Sequence, residues 1–530
     1  MRTTTLEAVG LIASLTLFSA ACGSGRTDED ASGPAPMVVG TTDKIVTLDP
    51  AGAYDNGSFT PMNQIYPYLM NSVPGDAGLK PDVAEKCEFT QPVVYTCTLK
   101  PGLKFANGHP LTAASVKHSY DRIVKINDPN GPISLLTQLD HTDAVNETTV
   151  AFTLKNPNDQ TFPQVLATNA GPIVDEQVFP ADKLLDDNEI VKAKPFAGPF
   201  TIETYKKNQL VDYKANPDYA GVLGKPRSEN VIAKYYASAQ SLKEDVQKNT
   251  VDVGFRSFTP TDIDSLRGSD KVTVYEGPGG ELRYIVFNLN TMPGATPEQK
   301  LAVRKAIASS VDRDALSRNV YKGTYTPAYS SVPPGVPGSV ESYKDVYGAT
   351  PNKDAAAKFL ADAGMPLPVE INLQYNMDHY GSSSDEEYAA VKSQLEGTGL
   401  FKVNLQQTEW VTYQKERTQD AYPVYQLGWF PDFPDADNYL TPFFAPNNFL
   451  QSHFDDKFIA DLIVKETTEP DFAKRTDLLR QIQDVLARDH IPMLPLLSGK
   501  QIAVAAKNVE GVPETLDASF KFRYTVLSKH

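Results

Sequence analysis

Residues 94–123 read VYTCTLKPGLKFANGHPLTAASVKHSYDRI, and the repeat period changes twice within them. The first six residues are β-branched, aromatic or apolar in alternation, which predicts a strand over 94–99. Pro101-Gly102 turns the chain, 103–105 reads as a second short strand, and Asn107-Gly108 supplies another turn. Thr112 then stands as an N-cap, and the apolar spacing that follows predicts a helix over 113–123.

Working outward, the same alternation continues. Strands are predicted at 37–40, 149–154, 202–205, 211–214, 251–253, 283–288, 369–375 and 403–406. Helices are predicted at 239–248, 297–312, 355–363 (closed by Gly364), 386–395 and 471–488. Strands alternating with helices define an α/β architecture. No tandem repeat is present. The 530 residues favour at least two domains, and the 41% apolar content is that of a soluble globular chain. A net charge of −16 opposes a nucleic-acid partner, because phosphate binding needs a basic face.

The N-terminus carries an address. Arg2 precedes an apolar stretch over 8–18, then small residues over 19–21, and Cys22 follows at once. This predicts a secretory signal over 1–21, with Cys22 as a lipidated first residue; an ordinary secretory signal with a chance cysteine is the alternative. Residues 22–36, rich in Gly, Ser, Asp and Pro, read as a flexible tether. Only Cys87 and Cys97 remain beyond it, flanking a Gln91-Pro92 turn between two β-rich runs. Across an antiparallel hairpin in an oxidising exterior they would form a structural disulfide; two reduced thiols are the alternative.

The run 81–123 resembles a signature segment of the family 5 solute-binding proteins, the oligopeptide- and dipeptide-binding proteins of ABC importers. The matching pieces are Pro81-Asp82-Val83-Ala84-Glu85, then Gly102 and Phe105, then Asn107-Gly108-His109-Pro110-Leu111-Thr112-Ala113 with Val116; Ser115 stands where Asp is usual. Further pieces follow in the family's order. They are Leu48-Asp49-Pro50, Gly198-Pro199-Phe200, Asn216-Pro217-Asp218-Tyr219, Val303-Arg304 with Asp312-Arg313, the helix end at Gly364, and Ile491-Pro492 with Leu494-Pro495-Leu496. The resemblance implies a periplasmic-binding-protein-like type II fold: two lobes with a hinge and cleft, plus an extra family-specific domain. The expected division is 37–72, 197–289 and 498–530 for the first lobe, 73–196 for the extra domain and 290–497 for the second lobe.

The segment 428–439, GWFPDFPDADNY, sets aromatic rings beside carboxylates in a loop that two prolines keep out of a helix. Such a pairing suits an ammonium group. By resemblance, Asp432 is the carboxylate that meets a peptide's α-amino group, with Trp429 beside it. The alternatives are a solvated acidic loop or a calcium site from Asp432, Asp435 and Asp437, which lacks the Gly and Glu of an EF-hand. The resemblance also implies ligand-facing positions at Asn376, Trp410, Arg417, Tyr54 and Asn56, and at Gln426, where the peptide binders carry Arg. For each of these, ordinary packing is the alternative.

No H-E-x-x-H, G-x-S-x-G or Walker A pattern occurs, and the seven His show no metal-ligand spacing. The expectation is therefore a non-enzyme without cofactor or metal. It is a monomer at the outer face of the cell membrane that takes a peptide-like ligand to ABC permease subunits. The same fold with an oligosaccharide, a nickel chelate or a specialised metabolite is one alternative; a secreted hydrolase is another.

Overall fold

The computed structural model describes residues 35–530 apart from 76, 77, 378, 382 and 447. The expected signal, Cys22 and the tether up to residue 34 lie outside the described residues. Pro36–His530 forms one compact unit. It is built on three main sheets.

The first sheet runs Val272–Gly277, Gln501–Ala506, Val253–Phe255, Met37–Thr41, Asn230–Tyr235, Leu210–Ala215, Phe200–Lys206. Met37–Thr41 lies parallel to both its neighbours, as an apolar strand covered on both faces should. The second sheet runs Tyr325–Pro327, Met493–Gly499, Leu282–Phe287, Val424–Trp429, Val369–Tyr375, Phe401–Gln407. The third, four-stranded and antiparallel, runs Ala84–Gln91, Val94–Leu99, Thr149–Leu154, Leu139–Ala144. Each sheet carries its own apolar cluster, so the molecule has two α/β lobes and an additional β-rich region.

The lobe boundaries fall elsewhere than expected. Leu282–Phe287 pairs antiparallel with Val424–Trp429 on one side and Met493–Gly499 on the other, so it belongs to the second lobe and not the first. The chain therefore crosses between lobes at 277–282, before the expected 289/290, and returns at 499–501, after the expected 497/498. The crossings touch: a Cβ at Gly279 would stand 1.8 Å from the Gly499 carbonyl oxygen, so the first strap has no room for a side chain there. Val174, Phe179, Ile190 and Phe196, expected in the extra domain, pack into the first-lobe core instead.

Local chemistry explains the motifs. Thr112 caps helix Ala113–Ile126 in a capping box whose return bond comes from Ser115. Serine can therefore stand at this position because its hydroxyl accepts from the Thr112 amide at 3.1 Å. The segment 103–105 is not a strand; it makes one bridge, Lys104 to Pro110, because the Asn107-Gly108 turn closes too tightly for a ladder. Helix Pro297–Ala308 stops short of the expected 312, where Asp312 caps a new helical turn.

Distant motifs interlock. Asp49 receives both Arg122 Nη atoms at 2.6 Å and the Leu185 amide at 2.7 Å, which ties Leu48-Asp49-Pro50 to the capped helix. Tyr219 donates to Asp82 at 2.7 Å, and Asn216 Nδ2 donates to the Gly198 carbonyl at 2.9 Å, so three motifs meet at one corner. Arg313 Nε donates to the Pro495 carbonyl at 2.8 Å. Cys87 and Cys97 face each other in register and are disulfide-bonded.

Candidate functional site

Strand Val424–Trp429 ends at the interlobe boundary, and the segment 430–435 leaves it as a loop, as the prolines require. Asn438, in the following turn Ala436–Tyr439, holds the loop closed. Its Oδ1 accepts from Trp429 Nε1 at 3.1 Å and from the Asp432 amide at 2.9 Å, while its Nδ2 donates to Asp432 Oδ2 at 3.1 Å. Phe433 is buried in the cluster of the four-stranded region, so the loop bridges two bodies.

The other oxygen of Asp432 accepts from the Tyr54 hydroxyl, which comes from just before helix Asn56–Ile65 of the first lobe. Asp432 is thus desolvated and served by neutral donors. Burial pushes its carboxyl above the ordinary carboxylate range, against hydrogen bonds from Tyr54 and Asn438 that pull it down. Burial and the Asp432 charge push the Tyr54 hydroxyl up as well. Asp435 turns away from Asp432 and takes a two-pronged ion pair from Arg475 at 2.7 and 2.8 Å.

Of the remaining candidates, all but Asn56 sit elsewhere in the second lobe. Trp410 opens helix Trp410–Arg417 and stacks face to face on His379, ring centroids 3.8 Å apart. Asn376 and Gln426 are buried and bonded to each other, Asn376 N to Gln426 Oε1 at 2.8 Å; Gln426 Nε2 also reaches Ser384 at 3.0 Å. Arg417 is buried over the Phe449 ring and donates to the Phe449 carbonyl at 3.0 Å. Asn56 is the half-buried first residue of its helix. The structure therefore brings Tyr54, Trp429 and Asp432 together, groups Asn376 with Gln426, and leaves Arg417 apart.

Between the lobes lies a cavity of ≈ 550 Å³ that none of these eight residues lines. Its walls include Arg256 and Phe520 from the first lobe, and Glu281, His379, Tyr380 and Phe430 from the second. Burial holds Glu281 above the ordinary carboxylate range despite Arg283 nearby and a hydrogen bond from Tyr325. Phe430 lies inside the quoted loop, so the sequence offered it. Arg256 and Glu281 belong to no motif, and nothing in their local pattern marks them. No group of three metal-ligating side chains occurs among the described residues, and no described helix is long and apolar enough to cross a membrane.

Two α/β lobes joined by paired crossings, with a polar and aromatic cavity between them, define a ligand-binding protein of the two-lobed type. The chain belongs to the bacterial extracellular solute-binding proteins, family 5, whose description matches residues 78–451. It is 26% identical over 533 residues to the glutathione-binding protein GsiB of Shigella dysenteriae, covering 98% of this chain and 97% of that one. Its fold is similar to that of HbpA2 from Haemophilus parasuis, with a TM-score of 0.80 at 23% identity over 94% of this chain and 100% of that one. It is also similar to the murein tripeptide binding protein MppA in its unliganded open form, with a TM-score of 0.79 at 20% identity over 93% of this chain and 97% of that one.

Proposed function

We propose that this protein captures oligopeptides or dipeptides outside the cell and delivers them to an ABC permease for import, while held at the membrane by a lipid on Cys22. The observation that carries the reading is Asp432: a desolvated carboxylate at the meeting of the lobes whose partners, Tyr54 and Asn438, are neutral. A peptide ammonium supplies the cation that such a group lacks, in a charge-assisted hydrogen bond. Phe430, two residues before Asp432, lines the cavity between the lobes and gives the ligand an apolar wall. The names of GsiB and MppA, for glutathione and a murein tripeptide, agree with a peptide-like ligand. Capture follows from geometry: ligand that contacts both lobes stabilises their closed arrangement.

The test is mass spectrometry of small molecules released on denaturing the purified protein, followed by calorimetry on Asp432→Ala. Peptides of mixed sequence are expected, together with a loss of roughly 2–5 kcal/mol in their binding. A single non-peptide compound, or unchanged affinity in the variant, would overturn the assignment. Because the carboxyl of Asp432 is raised, it takes up a proton above the ordinary value of 3.8. Affinity for amines therefore falls on acidification while most other carboxylates are still charged.

A further inference from the structure

Lys521 is a cation that folding has taken out of water without giving it an anion. It is 4% exposed, and its neighbour Phe522 lies in the first-lobe core. The buried Arg122, Arg283 and Arg475 each meet a carboxylate. The Lys521 ammonium forms no ion pair with any described carboxylate. It donates to Asn71 Oδ1 at 3.1 Å and stands over the rings of Tyr68 at 5.2 Å and Phe59 at 5.9 Å. The charges around it are committed elsewhere. Arg523 pairs with Asp517 at 3.3 Å; Asp82, on the far side of Asn71, accepts from Tyr219 and from the Val222 amide, each at 2.7 Å, and has Lys100 beside it. Burial, with the Arg523 charge added to it, pushes the Lys521 ammonium well below the ordinary lysine range.

Asp432 has the complementary defect, an anion whose bonded partners, Tyr54 and Asn438, carry no charge. The two residues line the same void, which at ≈ 10 Å³ has room for about one water molecule. Asp432 walls it from the second lobe, Lys521 and Ser519 from the first, and Gln164 from the four-stranded region. The Oε1 of Gln164 is buried and accepts no hydrogen bond from any described residue. One uncompensated charge of each sign therefore faces this point, each from a different lobe.

We propose that Lys521 is the protein's own competitor for the amine site: without ligand its ammonium swings across the void to Asp432, and an incoming ammonium must displace it. This rests on the reading of Asp432 given above and adds the element that sets the affinity of that site. A lysine stem is flexible and its ammonium carries three rotatable donors, so the move takes a change of rotamer and no movement of the backbone. Contact relieves two penalties at once, since each charge supplies what burial denies the other. The position over Tyr68 and Phe59 is the withdrawn one, which bound ligand imposes. The consequence is selection by exchange. A bare amine offers Asp432 nothing that Lys521 does not, whereas a peptide-like ligand brings further contacts to both lobes and wins.

The experiment is calorimetry with two tripeptide libraries, one with free N-terminal amines and one N-acetylated, on the wild-type protein, Lys521→Met, Lys521→Gln, Asp432→Asn and Lys521→Met combined with Asp432→Asn. Lys521→Met should bind the free-amine peptides roughly tenfold or more tightly than wild type, because a like charge beside the ligand ammonium is costly. Lys521→Gln should shift in the same direction, and neither variant should gain affinity for the acetylated peptides. Beside Asp432→Asn the gain from Lys521→Met should vanish. Unchanged or weaker binding in the Lys521 variants, or a gain that persists beside Asp432→Asn, would overturn the role of Lys521 and leave the peptide reading standing. Wild type that binds neither library, or Asp432→Asn that binds free amines as wild type does, would instead remove the reading of Asp432, and this proposal with it.

Discussion

The Tyr54 hydroxyl donates to the Asp432 carboxylate, joining the first lobe to the second through one side-chain pair. Tyr54→Phe deletes only that donor. A hydrogen bond to a charged group contributes about 1.5–3 kcal/mol. The ligand-free variant is expected to spend more time with its lobes apart, read as a larger radius of gyration in solution scattering. An unchanged scattering profile would show that the pair does not hold the lobes.

The far side of the same loop predicts a pH effect on stability. Arg475 faces three carboxylates: it pairs with Asp435, donates to Glu466 at 2.9 Å, and has Asp437 hydrogen-bonded to Glu466 beside it. Burial, then the Asp437 charge, raises Glu466 well above its ordinary 4.5. A raised carboxyl contributes stability that is fully present below the ordinary value and is lost as pH rises through the raised one. Glu466→Gln removes that titration. Its Tm should therefore fall less than that of wild type as the pH rises above the ordinary carboxylate range. Parallel curves for the two proteins would rule this out.

Arg283 and Glu387 form a buried pair in the second lobe, with contacts of 2.9 and 2.6 Å and a further donor in Tyr321 at 2.9 Å. Glu387→Ala leaves a buried guanidinium without its main anion. The expected cost is about 3–5 kcal/mol in denaturant unfolding. Combining it with Arg283→Met should recover part of the loss, since a pair replaced by apolar groups is often close to neutral. A double variant no better than the single one would contradict that account.

The Cys87–Cys97 bond closes a loop with a sequence separation of 10 at the edge of the four-stranded sheet. Loop-closure entropy assigns it about 2–3 kcal/mol. Cys87→Ala combined with Cys97→Ala should lose that amount, with the fastest gain in amide hydrogen exchange within 84–99. Reductant should destabilise wild type and leave the double variant unchanged.

The fold was legible where its causes are local. Thr112 and the spacing after it set the capped helix, and the prolines at 431 and 434 kept the acidic loop irregular. The alternation of elements could not say which sheet a strand joins, and so Leu282–Phe287 was read into the wrong lobe; its partners lie beyond residue 423. At the site, the Asp432 loop stood out through its composition. Arg256 did not, because it is made distinctive by Phe430 and Phe520, which reach it only through tertiary folding, and by a backbone angle that no neighbouring residue announces.

The placement of Gln501–Ala506 between Val272–Gly277 and Val253–Phe255 has a consequence for how the chain reaches this state. Val272–Gly277 pairs with no other strand of its sheet, so the first lobe cannot close its edge until residues beyond 500 are in hand. The second sheet draws all its strands from 282–499, an uninterrupted stretch. As the chain emerges N-terminus first, the second lobe can therefore mature first. The first lobe waits with an unpaired strand, the stage at which such a chain is most open to aggregation and proteolysis.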